Sequence, residues 1–271
     1  MDIQYSNKRL RNKRFKRTKC CQPTRVGLNF NIKSAPLSGK PIVNKTELVI
    51  DQENTGYRYS IEPFLLADFI TFLPDQSVLD IGTGCGIIPL LMVQREPSLK
   101  VTAIEIQDTS QAKKNFRQND MEHQISLIQG DFLNEALIPE SFDHIVSNPP
   151  YRKIKTGRIN PDSNKAIARH ELSLNMSSLI DKSAPLLKKN GQISLAYPPE
   201  RLGELMRELE CKGLYPNKAR FVHGNDQAPA KIVMVSALKG KRSDFAVAPP
   251  LTVYNNDGNY SKEAANLLRL L

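Results

Sequence analysis

A doubly wound α/β fold is predicted, with a mostly parallel seven-stranded sheet, helices on both faces and a C-terminal antiparallel hairpin. Three observations carry the prediction. Short apolar strands alternate with helical segments. A glycine-rich turn joins the first strand to its helix. The last two strands, residues 218–223 and 231–238, are separated only by residues 224–230, too few for a crossover helix, so they pair as a hairpin.

In chain order, residues 47–50 and 57–59 read as short extended pieces around the turn Glu53-Asn54-Thr55-Gly56. Pro63 opens a helix through Phe72, with Phe64, Leu65, Ala67 and Ile70 at helical spacing. The first strand, 78–81, leads into the glycine turn and a helix to about Gln94. A second strand over 100–104 closes at Glu105, and the next helix, 108–119, starts at Asp108 with Lys113, Lys114 and Arg117 on its outer face. Strands follow at 125–128 and 142–146. Beyond a long polar segment come a helix over 174–187, a strand over 192–197 stopped by Pro198-Pro199, a helix over 200–211 and the hairpin.

The turn Asp80-Ile81-Gly82-Thr83-Gly84-Cys85-Gly86 lets the backbone approach a nucleotide-like ligand closely. It is not the dinucleotide fingerprint, because the third glycine falls on Ile87 in one register and on Pro89 in the other. The pattern Asp80-x-Gly82-x-Gly84-x-Gly86 instead resembles the first motif of class I methyltransferases, which implies a Rossmann-like sheet and S-adenosylmethionine as cofactor. Glu105, followed by Ile106, ends the second strand, where a carboxylate can accept both ribose hydroxyls. Asp131-Phe132 brings another carboxylate to the third strand end, suited to the adenine amine. The backbone of residues 82–86 and the segment 57–60, with Tyr57, are candidates for the methionine end.

The fourth strand runs into Asn148-Pro149-Pro150-Tyr151. Alone, this tetrapeptide also reads as an ordinary strand stop. Its chemistry suits methylation of a planar amine. The Asn148 side chain and the Pro149 carbonyl can accept both N–H groups of a nitrogen whose lone pair is delocalised, and Tyr151 can stack on a flat substrate. All four segments stand at carboxyl ends of predicted strands and therefore face one crevice, with Asn148 also bordering the cofactor.

Composition sets the outer bounds. The chain has 271 residues and no apolar run near the roughly 20 that cross a membrane. The cysteines Cys20, Cys21, Cys85 and Cys211 lack C-x-x-C spacing, which suits a reducing cytoplasm. His123, His144, His170 and His223 lack ligand spacing and are expected to be surface or satisfied loop residues, so no metal is expected. The first forty residues hold eleven Lys and Arg against Asp2 alone, an excess equal to the whole-chain formal charge of +10. Residues 1–44 are expected to form a disordered basic arm that adds phosphate contacts, and residues 45–271 the folded domain. No signal peptide is expected, since the arm lacks an apolar h-region.

A closer resemblance rests on Thr55-Gly56-Tyr57-Arg58-Tyr59-Ser60, Leu65-Leu66-Ala67-Asp68, Val146-Ser147-Asn148-Pro149-Pro150-Tyr151, Gly157-Arg158-Ile159-Asn160-Pro161, Lys165-Ala166-Ile167-Ala168-Arg169-His170-Glu171 and Pro250-Leu251-Thr252-Val253-Tyr254. These look like the bacterial tRNA1(Val) (adenine-37-N6)-methyltransferase family over about residues 47–262. The first forty-odd residues do not match it. The resemblance implies methyl transfer to N6 of the adenine beside the anticodon of one valine tRNA. A cytoplasmic location without a membrane is the expectation from composition, and no obligate protein partner is evident in the sequence. The resemblance also gives a reason for Arg152, Lys153, Lys155, Arg158, Lys165 and Arg169, a basic strip placed for substrate phosphates just after the catalytic strand end. The residues themselves leave open a glutamine-N5 methyltransferase of release factors, a methyltransferase of ribosomal RNA or DNA adenine, and an RNA-binding protein that has lost transfer.

Overall fold

The computed structural model describes residues 48–51, 61–149 and 175–268. Tyr57, Pro150, Tyr151, Arg152, Lys153, Lys155, Arg158, Lys165, Arg169, His170 and the arm of residues 1–44 lie outside the described residues.

The elements are α1 (Glu62–Phe69), β1 (Ser77–Ile81), α2 (Ile87–Arg95), β2 (Lys100–Glu105), α3 (Ser110–Gln118), β3 (Ile125–Gln129), β4 (Phe142–Ser147), α4 (Met176–Leu186), β5 (Leu187–Tyr197), a 3-10 turn (Pro199–Arg201), α5 (Leu202–Cys211), β6 (Leu214–His223), β7 (Ala230–Lys239), β8 (Ala246–Val247), β9 (Leu251–Thr252) and α6 (Lys262–Leu268). One sheet has the order β3-β2-β1-β4-β5-β7-β6-β8, with β9 also on β6. Strands β1 to β5 are mutually parallel, while β7 runs antiparallel to both β5 and β6. The apolar run of β7, buried from Ile232 to Ala237, suits this inserted position between two strands.

Strand alternation divides the interior in two. Val78, Val101, Ala103 and Val146 point to a core shared with α1, α2, α3 and α6. Their neighbours Leu79, Ile81, Ile104 and Ile145 point to a second core against α4 and α5. Helices therefore cover both faces, and the strand ends are what remains for a ligand.

Several expectations need correction. The sheet has nine strands, because β8 and β9 add two residues each, too short for a periodicity to be readable. Helix α1 stops at Phe69, not Phe72. Ile70 is extended (φ −89°, ψ 140°), and Lys218 Nζ donates to the Phe69 carbonyl at 3.0 Å, giving a terminal carbonyl its partner. Residues 48–51 form no strand. The Asn119 side chain accepts from Val49 N at 2.9 Å and donates to Val49 O at 2.8 Å, replacing a strand neighbour. Strand β5 starts at Leu187, with a register shift opposite Phe142 and His144 and a left-handed Asn190 (φ 62°) absorbing the polar residues 188–191.

His144 is neither a surface nor a loop residue. It is 2 % exposed in β4, with Nε2 2.9 Å from Ser194 Oγ, which lies 2.6 Å from Ser236 Oγ. This polar chain crosses β4, β5 and β7 inside the core. Burial pushes the imidazole pKa down to about 3, against the opposing pull of Asp143, so it is neutral. Among the described residues no helix is long and apolar enough to cross a membrane.

Candidate active site

Because β1 to β4 are parallel, their carboxyl ends share one edge, and the register lines them up. Ile81 pairs with Ile104 on one side and Ser147 on the other, while Glu105 pairs with Gln129. Across the order β3-β2-β1-β4 the edge therefore carries Asp131, Glu105, the glycine turn and Asn148 in sequence. Three strand spacings make this row about 14 Å long. It straddles β1, where the chain turns from one half of the sheet to the other.

The glycine turn is bound to its neighbour. Gly82 N and Thr83 N donate to the Ile104 carbonyl at 2.9 and 3.0 Å, and Gly84 N donates to Glu105 Oε2 at 2.8 Å. Gly86 takes φ 82°, and a Cβ there would lie 2.3 Å from Phe116 Cε1, so conformation and space both require glycine. At Gly82 and Gly84 an added Cβ would meet nothing within 4 Å, which leaves this side of the turn open to a ligand.

Two carboxyls meet behind the turn. Asp80 is fully buried, and among the described residues neither of its oxygens has a hydrogen-bond partner. Burial pushes its pKa up to about 7. The Thr83 side chain alongside eases that shift without closing a hydrogen bond, and the Glu105 carboxylate adds to it. Glu105, 5 % exposed, also accepts from Gln107 N at 2.9 Å.

At the β3 end, Asp131 heads a single turn. Its Oδ1 accepts from Leu133 N at 3.0 Å and its Oδ2 from Asn134 Nδ2 at 2.9 Å. The Phe132 ring is 3 % exposed and packs in the second core, so the ring itself is not offered to a ligand. Ile106 is 39 % exposed beside Glu105 and does offer an apolar surface. At the β4 end, Asn148 is half-buried and Pro149 buried. The fully buried Ser147 hydroxyl donates to the Ile81 carbonyl at 2.8 Å, which pins the start of this loop to β1.

The methyltransferase small domain family matches residues 63–200, just over half of the chain and the whole of this edge. The chain belongs to that family. This methyltransferase is 28 % identical over 242 residues to a relative from Christiangramia forsetii named tRNA1(Val) (adenine(37)-N6)-methyltransferase, covering 86 % of this chain and 98 % of the relative. A relative of the same name from Bacteroides thetaiotaomicron is 31 % identical over 163 residues, covering 59 % of this chain and 68 % of the relative. Among solved structures, one described as a predicted O-methyltransferase from Agrobacterium tumefaciens superposes with a TM-score of 0.62 at 18 % identity, covering 77 % of this chain and 95 % of that one. That likeness bears on the fold.

The edge of this methyltransferase fits S-adenosylmethionine. A buried carboxyl without a donor suits a cationic ligand, and the open side of the glycine turn, with the Glu105 and Asp131 carboxyls along the same edge, leaves room for one. Asn115 escaped the sequence reading. Wholly buried on α3, it donates to the Cys85 carbonyl at 2.9 Å and the Asp51 carbonyl at 3.1 Å, and accepts from Asp51 N at 2.8 Å. It ties the glycine turn to Asp51, in the short segment of residues 48–51. Its signal was a polar residue at core spacing from Ala112 and beside Phe116.

Proposed function

We propose that the chain transfers the methyl group of S-adenosylmethionine to N6 of adenine 37 in the anticodon loop of tRNA1(Val). The observation that carries this reading is the row along the β3-β2-β1-β4 edge, in which an adenine acceptor, a ribose acceptor, an open glycine turn and a planar-amine acceptor follow one another. The names of the relatives from Christiangramia forsetii and Bacteroides thetaiotaomicron support the RNA and the position.

Asp131 and Glu105 would hold the nucleoside of the cofactor, with Ile106 against the base, the Gly82 to Gly86 backbone and Asp80 toward the methionine end, and Tyr57 a further candidate. Bound there, S-adenosylmethionine supplies an electrophilic methyl group. Asn148 Oδ1 and the Pro149 carbonyl accept the two N6 hydrogens and draw the nitrogen toward tetrahedral geometry, while Tyr151 stacks on the ring. No strong base is needed beforehand, since N6 becomes acidic only as it gains the methyl, and its proton then leaves to water. A single-stranded loop adenine reaches such a pocket at a cost of a few kcal/mol or less.

Arg152, Lys153, Lys155, Arg158, Lys165 and Arg169 take the phosphates that flank the target, and the basic residues 1–44 extend that contact. The domain proper is residues 45–271, acting in the cytoplasm. The test is methyl transfer to total unmodified tRNA followed by nucleoside mass analysis. We expect N6-methyladenosine at position 37 of tRNA1(Val), loss of that product in Asn148→Ala, and retained S-adenosylhomocysteine binding in the variant. Near-wild-type turnover by Asn148→Ala, or methylation of a release-factor glutamine in its place, overturns the assignment.

A further inference from the structure

We infer that Lys182 is a positioning residue that sets the adenine end of the cofactor site. The inference rests on the cofactor reading above and adds to it a residue from a different part of the chain. Asp131 heads one isolated helical turn. Asn134 N and Glu135 N both donate to the Asp131 carbonyl, at 2.8 and 3.1 Å, and the turn continues no further. A lone turn is a weak structure, because its terminal groups lack partners and it has no following residues to propagate into.

Its two ends are held by opposite charges. The Asp131 carboxylate binds the first end through Leu133 N and Asn134 Nδ2. From α4, 47 to 49 residues away in sequence, Lys182 Nζ donates to the Glu135 carbonyl at 2.7 Å and the Leu133 carbonyl at 2.8 Å. Anion at the first end and cation at the last is the arrangement the peptide dipoles favour. The same ammonium lies 5.3 Å from the centre of the Phe132 ring, within cation–π range, and that ring is buried in the core that α4 lines. Lys182 thereby fixes the height and tilt of the turn on which the Asp131 carboxylate rides.

The helix that carries Lys182 is itself firmly seated. The Asn175 side chain caps it by accepting from Ser178 N at 2.9 Å, and Met176, Leu179 and Ile180 are buried. In the sequence this helix directly follows residues 150–174, which hold the proposed RNA-binding strip. One element thus ends the substrate segment and clamps the cofactor turn.

Asp131 is asked to read the 6-amino group of adenine, so a displaced turn loses discrimination at that group before it loses all affinity. The experiment is titration calorimetry of the full chain with S-adenosylhomocysteine and with S-inosylhomocysteine, which carries oxygen in place of the amine. We expect Lys182→Met, which keeps the stem over Phe132, to bind S-adenosylhomocysteine about tenfold more weakly, the loss of charge-assisted hydrogen bonds. We expect its preference for the adenosyl over the inosyl compound to shrink by a similar factor, and Lys182→Arg, with donors for both carbonyls, to recover most of both. A folded Lys182→Met with wild-type preference overturns the inference, even if its melting temperature falls, since that is the pattern of a packing role alone. Should Lys182→Met not fold, Lys182→Gln, with a neutral amide in place of the ammonium, takes its place: a preference below that of Lys182→Arg supports the inference, and a wild-type preference overturns it. A wild-type chain that binds neither compound overturns the cofactor reading and the inference with it.

Discussion

Replacing Asp80 with Asn separates what this carboxyl costs the empty protein from what it does for the ligand. Its pKa is pushed from 3.8 to about 7, by burial first and by Glu105 in addition. The folded state therefore holds a proton that the unfolded chain releases between pH 4 and pH 7, and stability falls as pH rises through that window. About three pH units at about 1.4 kcal/mol each make the loss about 4 kcal/mol by pH 8. Asn has the same shape and no charge to bury, so Asp80→Asn is spared that loss. The stability difference, variant minus wild type, should grow by about 4 kcal/mol from pH 4 to pH 8, with most of the rise before pH 7. The chain lacks tryptophan, so urea unfolding of the ligand-free protein is best followed by far-ultraviolet circular dichroism at each pH, with the slope against urea checked for constancy. Taking the difference cancels the titrating groups that do not interact with Asp80. The same variant should bind S-adenosylmethionine more weakly, the trade of stability for function that a buried charge in a binding site makes. A difference that stays within about 0.5 kcal/mol across the range refutes the reasoning, because Asp80 would then not be the carboxyl that resists ionisation.

Other expectations are simpler to check. Gly86→Ala must place a side chain at φ 82° and within 2.3 Å of the Phe116 ring, and should lose roughly 2–5 kcal/mol in urea unfolding together with cofactor binding. His144 has its pKa depressed to about 3, so the wild type keeps its full contribution above pH 6.5 and loses it as pH falls toward 3; the deficit of His144→Asn should shrink in acid, and a pH-independent deficit would show that the imidazole titrates normally. Deleting residues 2–40 should flatten the dependence of tRNA affinity on salt, and an unchanged slope removes the arm from RNA binding.

Much of the site could be read from order alone. Asp80, the three glycines, Glu105, Asp131 and Asn148 each stand at or just beyond the carboxyl end of an apolar strand, and parallel strands joined by helices must bring such residues to one edge whatever the details of packing. The late hairpin was equally legible, since seven residues cannot carry a crossover. The strand pairs β8 and β9 were not, because two-residue strands are made by the neighbour they find, and neither was the end of α1, which Lys218 closes from 149 residues away.

Local pattern and chain order thus determine the strand succession, which residues stand at each strand end and the family to which the chain belongs. Tertiary structure decides which charges those positions carry and how firmly they are held. The titration of Asp80 depends on the desolvation of its whole surroundings and on Glu105, which is 25 positions distant in sequence and beside it in space. The grip of Lys182 on Leu133 and Glu135, and the tie of Asn115 to Cys85 and Asp51, likewise join residues that no periodicity relates. Periodicity reports which face of an element is buried, whereas a hydrogen bond or a pKa depends on what the fold brings opposite that face.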